Sequence, residues 1–345
     1  MPSPTPPRAT LDAVAQAAGV SRATASKVLN GRPSISLATR AKVQEAIDTL
    51  GYVPSTGVRA AGGLSKVLVV FRTLTDMYCV SLLDGILVSA RDQNIEVIVE
   101  TLDGPSSDRS PLSTAWMRYQ AARKRSGVIL VTTEVTDNQR DLMHQLGITT
   151  VHVDPVNTQD SNMVSVSATN YAGGVQATQH LLDLGHRRIA FAGGSPDSMP
   201  ARERLQGYLA TLSAAGIEPD NSLVSMTAYR FDAGVQMGQE FLSLPQPPTA
   251  IFAGADSTAL GVLEAARRAG VRVPEDLSVV GFDDTHAATS SAPALTTIRQ
   301  PITDIGRAAL RALIEQAQGQ RTQARHVQLS TELVVRHSTA APAAA

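Results

Sequence analysis

Residues 10–30 predict two short helices joined by a tight turn, and this pattern constrains the fold of the chain more than any other. Apolar side chains from Leu11 to Ala18 recur every three or four residues, as on the buried face of a helix. Thr10 stands where a helix N-cap belongs, and Gly19 ends the first helix because glycine tolerates the left-handed conformation. The segment therefore predicts a helix-turn-helix unit.

The second predicted helix has one apolar face and one charged face. Ala25 and Val28 form its apolar stripe, since residues three apart are helical neighbours. The opposite face carries two cations and small side chains, at Arg22, Ala23, Ser26 and Lys27. A short helix of this kind suits the major groove of DNA, whereas the plainer interpretation is a helical hairpin with a solvated outer face.

A third helix and an uneven distribution of charge favour the DNA interpretation. Ser36 is an expected N-cap, Gly51 an expected stop, and the apolar stripe between them includes Val43 and Leu50. Residues 1–60 carry seven Lys or Arg against three acids, a net charge of +4, whereas the whole chain is at −1. The remainder is therefore at −5, so attraction for DNA phosphates is concentrated at this end of the chain.

The predicted head resembles the DNA-binding domain of the LacI/GalR family of bacterial repressors. Three segments carry this resemblance, at 20–30, 39–43 and 50–54. Three later segments match the same family in order, as far as about residue 338, at 184–194, 274–284 and 295–301. Each motif alone is weak evidence, but all of them in register along one chain identify it as a member of that family.

Beyond about residue 66 the sequence alternates between short β-branched runs and amphipathic segments of helical length. The chain as a whole is 43% hydrophobic and 18% charged, which is typical of a globular protein. Repeated strand–helix units predict parallel sheets with helices on both faces. The expected fold class is a small all-α helix-turn-helix domain followed by α/β, with two doubly wound parallel-sheet subdomains. By resemblance, these form a periplasmic-binding-protein-like clamshell.

The expected domains follow from these patterns and from the resemblance. In chain order they are a disordered arm (1–9), the helix-turn-helix domain (10–54), a hinge or linker (55–65), an effector-binding and dimerisation domain (66–338) and a disordered tail (339–345). By resemblance, the N-subdomain comprises about 66–165 and 301–325, and the C-subdomain about 166–300 and 326–338. The tail has no leucine heptad, so a homodimer is expected and not a coiled-coil tetramer.

The resemblance also assigns DNA contacts residue by residue. Base contacts are expected from Arg22, Ala23 and Lys27, of which Arg22 suits a guanine and Ala23 a thymine methyl. Phosphate contacts are expected from hydroxyl and amide side chains, at Thr10, Ser21, Thr24, Ser26 and Asn30. For the hydroxyls among them, helix capping or plain exposure to solvent is the alternative.

The linker departs from the family pattern. In the family this segment forms a hinge helix whose leucine wedges into the minor groove, but here that position is Ala61. The glycines within 57–63 each weaken a helix by about 1 kcal/mol relative to alanine. Either the wedge is lost, or Leu64 replaces it in a shifted register, or the segment is a flexible tether. Arg59 is an expected minor-groove or phosphate contact.

By resemblance, a small-molecule effector binds between the two lobes, at the carboxyl ends of the strands. Arg204 and Asp283 match the ligand-binding arginine and acid of the family, and Tyr78 and Tyr229 are expected to form flat walls. Weaker candidates are Thr133, Asp154 and Gln300. The alternative for each is a loop or strand-end residue whose hydrogen bonds are made within the protein. Arginine and aspartate are usual partners of sugar hydroxyls, so a carbohydrate-like effector is expected.

Three competing interpretations stay open. A solute-binding protein shares the clamshell, but it needs an export signal and no basic head. A doubly wound enzyme needs a phosphate loop, and residues 192–198 lack both the Gly-Lys-Ser/Thr ending and the G-x-G-x-x-G spacing. A regulator that responds to a non-sugar metabolite such as a nucleobase is the third. Pro200 and Ala255 depart from the family's sugar contacts, so we expect a pocket of the size of a sugar with different polar partners. No catalytic residue, cofactor or metal site is expected.

The remaining expectations concern compartment and partners. With a single cysteine, Cys79, no intrachain disulfide is possible. The apolar runs are too short to span a bilayer, and the proline-rich start lacks the apolar core of a signal peptide. We therefore expect a cytoplasmic homodimeric repressor of carbohydrate uptake or catabolism genes. Its expected partners are double-stranded operator DNA and a sugar, with no membrane.

Overall fold

The computed structural model describes residues 10–29, 35–50, 64–102, 112–122, 127–156, 163–320 and 324–343. The chain divides into two compact units, Met1–Ser65 and Lys66–Ala345. Several positions with sequence-based expectations lie outside the described residues, namely the arm at 1–9, Asn30, Arg59 and Ala61. The alternatives for the linker therefore stay predictions.

In the described residues of the first unit there are three helices, α1 (Leu11–Ala17), α2 (Arg22–Leu29) and α3 (Leu37–Leu50). Their apolar stripes meet in one small core, in which Val14, Ala25 and Val43 are completely buried. The prediction for Leu50 is wrong: this side chain is 39% exposed, because it is the last residue of α3 and extends past the packed core.

Hydroxyl side chains begin all three helices. Thr10, Ser21 and Ser36 each accept a hydrogen bond from the backbone N–H three residues later, at 3.2, 3.1 and 3.2 Å respectively. Such a bond satisfies one of the donors that a helix start leaves without a partner. Gly19 has a φ of +63°, the left-handed conformation that ends α1. The predicted caps and turn are confirmed.

The second unit alternates strands with helices, as the sequence pattern predicts. Its strands are β1 (Lys66–Phe71), β2 (Glu96–Thr101), β3 (Gly127–Val131), β4 (Thr149–Val153), β5 (Ser165–Ala168), β6 (Ile189–Gly193), β7 (Val224–Met226), β8 (Ala250–Ala253), β9 (Ser278–Asp283), β10 (Thr296–Arg299), β11 (His326–Leu329) and β12 (Glu332–Val334). Its helices are α4 (Met77–Asp92), α5 (Thr114–Ala122), α6 (Asp137–Gln145), α7 (Asn170–Asp183), α8 (Met199–Ala214), α9 (Phe231–Leu242), α10 (Asp256–Ala269), α11 (His286–Ser290) and α12 (Ile302–Ala317).

These strands form two six-stranded sheets, one in each lobe. The strand order is β11-β5-β4-β3-β1-β2 in the N-lobe and β12-β10-β9-β8-β6-β7 in the C-lobe. Among the described strands, every pairing is parallel except that of β10 with β12. Central strands such as β3 and β9 are buried along their whole length, because helices cover both faces of a parallel sheet.

The chain crosses between the lobes three times, near residues 169, 300 and 330. β5 and β11 pair with each other in the N-lobe sheet, so both strands belong to that lobe. The expected crossings at about 165 and 326 therefore lie a few residues too early, because each strand first completes its hydrogen bonds in the N-lobe. The second crossing joins β10 to α12.

Residues 339–343 pack against the C-lobe, which corrects the expectation of a disordered tail over this part of the chain. Ala340 N–H donates to Ser278 Oγ at 3.0 Å. Just before it, the completely buried Ser338 Oγ donates to the Val279 carbonyl at 2.6 Å. These partners lie far away in sequence, so a run of small residues gives no local sign of them.

Helices α7 and α8 cross at two glycines. A Cβ added at Gly174 would lie 2.4 Å from the carbonyl oxygen of Arg204, and one added at Gly207 would lie 2.3 Å from that of Tyr171. A backbone atom cannot move aside as a flexible side chain can, so neither position leaves room for a side chain. The crossing thereby fixes the backbone of α8 at Arg204.

We expect Gly174→Ala to lower the free energy of unfolding by about 1–3 kcal/mol, because the added methyl overpacks against the backbone of α8. This exceeds the gain of less than about 1 kcal/mol that alanine has over glycine in a helix. Urea unfolding measures the difference. Gln179→Ala, on the exposed side of the same helix, is the control and should stay within about 0.5 kcal/mol of the wild type. Equal stability of Gly174→Ala and the wild type would contradict the close crossing.

Candidate functional site

The residues expected to bind an effector are mostly buried polar groups of the second unit. Five of them are at most 7% exposed, namely Thr133, Asp154, Arg204, Asp283 and Gln300. Tyr78 and Tyr229 are half-buried. Asp154 directly follows β4 and Asp283 ends β9, so both lie at the carboxyl ends of parallel strands. Ligands of doubly wound folds bind at this end of the sheet.

Arg204 on α8 is the centre of the C-lobe part of the site. Its Nε donates to Asn170 Oδ1 at 2.9 Å, and its Nη1 donates to the Gly254 carbonyl at 2.5 Å. The same Nη1 lies 3.9 Å from Asp283 Oδ1. A buried charge is costly unless it is paired and hydrogen-bonded, and Arg204 has both kinds of partner. Its position is therefore strongly determined.

Two aromatic rings and an amide complete this arrangement. The guanidinium carbon of Arg204 lies 3.8 Å from the ring centroid of Phe282 and 5.2 Å from that of Tyr229, within the range of cation–π attraction. Gln300 Nε2 donates to Asp283 Oδ1 at 2.6 Å. The structure thus brings three expected residues, Tyr229, Asp283 and Gln300, together at the guanidinium of the fourth, Arg204.

The N-lobe contributes a second part of the site. The Tyr78 hydroxyl donates a hydrogen bond to Asp154 Oδ2. Thr133 follows β3, the neighbour of β4, but makes no hydrogen bond through its hydroxyl. Burial alone would lower the pKa of Arg204, yet Tyr229, Asp283 and Asp154 raise it, so the carboxylates of both lobes act on the same guanidinium.

Polar atoms without partners mark this site. Four expected residues each hold a buried side-chain oxygen with no hydrogen-bond partner, at Thr133 Oγ1, Asp154 Oδ1, the Tyr229 hydroxyl and Gln300 Oε1. Leaving such a group unsatisfied costs about 1–3 kcal/mol. All four residues follow strands, namely β3, β4, β7 and β10, which makes them candidate partners of a ligand.

Both carboxyl groups of the site are electrostatically unusual. Burial raises the pKa of Asp283 well above its ordinary value, although the nearby Arg204 partly opposes this. Burial also raises the pKa of Asp154, although the hydrogen bond from Tyr78 partly lowers it. Asp154 and Asp283 have φ angles of +46° and +119°, which side-chain-bearing residues rarely adopt. Strained backbone and shifted pKa values are typical of functional sites.

A cavity of about 400 Å³ is lined by Asn170, the hydrogen-bond partner of Arg204, but by none of the seven expected effector residues. Pro155, which follows Asp154, lines it from the N-lobe, and Asn170, Pro200 and Glu203 line it from the C-lobe. Small-molecule sites usually occupy roughly 300–1,000 Å³, so the space is adequate for a small ligand. Pro200 is one of the expected departures from the family, and it lies on the wall of this cavity.

Sequence reasoning missed two residues of the site, Asn170 and Phe282. Asn170 accepts from Arg204 and donates to the Ala168 carbonyl at 3.1 Å, and Phe282 lies against the guanidinium. Asn170 comes just after the end of β5, and Phe282 immediately precedes Asp283. The rule that sites form at strand ends was therefore a signal that could have identified both.

In the first unit, the expected base-contacting residues Arg22, Ala23 and Lys27 are all exposed on α2. Arg22 Nε lies 3.4 Å from Asp12 Oδ1, and both side chains are mostly exposed. A surface pair of this kind contributes at most about 1 kcal/mol, so it leaves Arg22 available to a partner. The hydroxyls of Thr10 and Ser21 accept the capping bonds, in line with the capping alternative, and the Ser21 hydroxyl also shares a hydrogen bond with the Thr24 hydroxyl, at 2.9 Å.

Two classes of site are absent from the described residues. No group of three or more His, Cys, Asp or Glu side chains is arranged there to hold a metal ion. No helix in the same residues has the length and apolar character that crossing a bilayer requires.

Comparison with known proteins decides the family. Residues 10–55 match the model of bacterial regulatory proteins of the lacI family, and residues 178–339 match a periplasmic binding protein-like domain. The HTH-type transcriptional regulator CelR of Thermobifida fusca is 35% identical over 347 residues, which cover 96% of this chain and 98% of that protein. The chain belongs to the lacI family of bacterial regulatory proteins.

Solved structures of lacI-family proteins agree with this assignment. The complex of the transcriptional regulator CelR with cellobiose has a TM-score of 0.73 at 34% identity, over 96% of this chain and all of that one. The lac repressor dimer bound to operator and the anti-inducer ONPF has a TM-score of 0.80 at 28% identity, over 97% of this chain and all of that one. The predicted fold class is confirmed, and the chain is a DNA-binding transcriptional regulator and not an enzyme.

The raised pKa of Asp283 predicts how the stability of the cleft depends on pH. Because the folded-state pKa lies above the unfolded one, this carboxyl contributes stability at low pH that is lost as the pH rises through the raised value. Asp283→Asn removes this titration. We therefore expect the stability of the variant, relative to the wild type, to increase between about pH 5 and about pH 8.

Urea unfolding at a series of pH values measures this difference. Asp276→Asn is the control, because Arg272 lowers the pKa of the exposed Asp276 to about 2, so that group is ionised throughout the window. A difference between Asp283→Asn and the wild type that does not change with pH would contradict a raised pKa at Asp283.

Proposed function

We propose that this chain is a homodimeric repressor of genes for carbohydrate uptake or catabolism, and that it acts in the cytoplasm, where bacterial DNA lies. A neutral, sugar-like effector bound between the lobes controls its affinity for a double-stranded operator. The observation that carries the effector proposal is the set of four unpartnered buried oxygens on residues that follow strands of both lobes.

The chemistry of those four atoms selects the effector. Asp154 Oδ1 and Gln300 Oε1 are acceptors, so the ligand must donate hydrogen bonds to them. The hydroxyls of Thr133 and Tyr229 can donate or accept. A sugar suits this set because each of its hydroxyls is both a donor and an acceptor, and a relative of this chain has been solved as a complex with cellobiose.

The charge of the cleft favours a neutral sugar over a phosphorylated one. Arg204 is the one cation among the seven expected effector residues, and it already faces Asp283 at 3.9 Å and the field of Asp154. A phosphate would bring its negative charge into this buried site, and those seven residues include no arginine or lysine besides Arg204 to compensate for it. Neutral hydroxyls supply donors without that cost.

DNA recognition is assigned to the outer face of α2. Arg22 and Lys27 are the proposed base-reading cations and Ala23 a proposed thymine contact, since all three are exposed there. Thr10, Ser21, Thr24 and Ser26 are proposed phosphate ligands. Lys27 is a point charge, not a planar fork, so it discriminates bases less strictly than Arg22.

The homodimer is supported by an exposed apolar face of α4. Met77, Val80 and Leu87 lie on this face and are 45%, 47% and 43% exposed. Large apolar side chains grouped on one helix face favour burial against another protein surface. A second copy of this chain is the proposed occupant, since the lac repressor, which is similar to this chain, has been solved as a dimer on its operator.

A neutral sugar should stabilise the protein, and Asp283 should be required for that response. We expect cellobiose or ribose to raise the melting temperature, and glucose 6-phosphate not to do so. Asp283→Asn should weaken the binding of that sugar about tenfold to a hundredfold, because the substitution replaces one oxygen acceptor of the carboxyl group by an amide donor. Its operator affinity without sugar should be nearly that of the wild type.

Thermal shift and operator binding on a DNA selected from a random pool are measured in parallel, with Asp276→Asn as the control. Unchanged sugar affinity in Asp283→Asn would show that the effector binds elsewhere. Stabilisation by hypoxanthine and by none of the sugars would instead support the nucleobase alternative. By linkage, sugar and operator should change each other's affinity by the same factor, typically about 5–150.

Arg22→Ala should lose about 1–3 kcal/mol of binding energy on the selected operator and little on random DNA, because a base contact carries sequence information. Competition binding at one fixed salt concentration measures both values. A chain without residues 1–65 is the negative control and should bind neither DNA. Equal losses on both DNAs would reassign Arg22 to a phosphate contact.

A further inference from the structure

The turn after β9 is held by a group of charged side chains that is distinct from the effector residues. The carboxylate of Asp284 accepts from Arg299 Nε at 2.6 Å and from Arg336 Nη2 at 2.5 Å. Arg299 Nη1 also donates to Glu332 at 2.7 Å. We call these four residues the turn network. Asp284 is its centre, since its side chain is only 7% exposed and joins two arginines.

The turn network lies where the chain passes between the lobes. Arg299 is the last residue of β10, and Gln300 and Pro301 then lead into α12 of the N-lobe. Glu332 is the first residue of β12, directly after the third crossing from β11. A single set of ion pairs therefore joins the turn after β9 to the C-lobe ends of two crossings.

The third crossing is in turn bonded to the first. The Thr331 N–H donates to Thr169 Oγ1 at 3.0 Å, and the two hydroxyl oxygens lie 3.0 Å apart. Thr331 directly precedes Glu332 in the chain, so the turn network is connected to the first crossing through Thr331 and Thr169. A change in the angle between the lobes must be absorbed by these crossing segments.

The backbone of the turn depends on these contacts. Asp283 and Asp284 have consecutive positive φ angles, +119° and +57°. Residues with side chains persist in such conformations only where the surroundings over-determine them. Hydrogen bonds from Arg299 and Arg336 hold the side chain of Asp284 in place. Gln300, the neighbour of Arg299, holds the side chain of Asp283 in place by a hydrogen bond at 2.6 Å. The position of Asp283 therefore follows that of the second crossing.

We propose that Asp284 is a positioning residue, which couples the angle between the lobes to the orientation of Asp283 through Arg299, Glu332 and Arg336. Asp284 acts on the effector through Asp283, since its own carboxylate is occupied by arginines. This assignment rests on the proposed function only in naming Asp283 an effector contact. The effect of Asp284 on the lobes is testable with no effector at all.

The test is the distribution of distances between spin labels on the two lobes, measured without ligand. Gln145→Cys on α6 and Gln239→Cys on α9 provide exposed attachment sites in a Cys79→Ser background. Labelled chains are diluted into an excess of unlabelled chain, so that pairs within one chain dominate the signal. Asp284→Asn is the variant, because asparagine keeps the shape, tolerates positive φ and removes the charge.

We expect the distribution of distances between the lobes to be broader in Asp284→Asn than in the wild type, and its mean to be shifted. Asp276→Asn is the matched control, since it removes a carboxylate that also accepts from an arginine, at 2.5 Å, but lies away from the crossings. Glu332→Gln, at a mostly exposed position, disturbs only one pair of the turn network and should broaden the distribution less. It also serves if Asp284→Asn fails to fold.

An unchanged distribution in a folded Asp284→Asn, or in Glu332→Gln if only that variant folds, would overturn the proposal, even if the melting temperature fell. That outcome would mean that the turn network stabilises the C-lobe and nothing more. Failure of every sugar to bind would refute the proposed effector and leave this measurement intact, so the two failures are distinguishable.

Discussion

The cleft is organised around the buried guanidinium of Arg204, a charge that the fold can keep out of water only by surrounding it with partners. Those partners come from separate parts of the chain: Asn170 from the start of α7, Gly254 from the end of β8, and Phe282 with Asp283 from the end of β9. The glycine crossing of α7 and α8 fixes the backbone from which the arginine extends. The burial of the Arg204 guanidinium thus requires that these separate parts of the C-lobe lie close together.

The turn after β9 connects the surroundings of Arg204 to the rest of the C-lobe through hydrogen bonds. Asp284 joins the turn to two arginines, while Thr285 donates to the buried Asp256 through both its N–H and its hydroxyl, at 2.7 and 3.0 Å. Burial raises the pKa of Asp256 to about 6, although those hydrogen bonds lower it. Desolvation and hydrogen bonding therefore oppose each other at the carboxyl group that binds Thr285. Residues 283–285 are each bonded to a different part of the lobe, and the positive φ angles persist under that constraint.

The sequence predicts local features best. Helix starts at Thr10, Ser21 and Ser36 follow from residue type and position alone, because capping involves neighbours in the chain. The fold class follows from alternating patterns together with the family resemblance. The limits of prediction are long-range: nothing local reveals that the tail bonds Ser278, that β5 and β11 pair in one sheet, or that Phe282 lies on a guanidinium. Expected effector residues came from the resemblance, whereas their unpartnered oxygens became visible only in three dimensions.

The distribution of those oxygens explains why one ligand can act on both lobes. Thr133 and Asp154 belong to the N-lobe, while Tyr229 and Gln300 come from the C-lobe side. A ligand that satisfied only one pair would bind without favouring any angle between the lobes, since its contacts would be equal in every arrangement. Only a molecule that reaches both pairs has different interaction energies in different arrangements, and that difference is the most by which it can shift a conformational equilibrium. A sugar with hydroxyls on both edges of its ring meets this condition. In the proposed site, these unsatisfied atoms would supply both the energy for binding and the selectivity for one lobe arrangement.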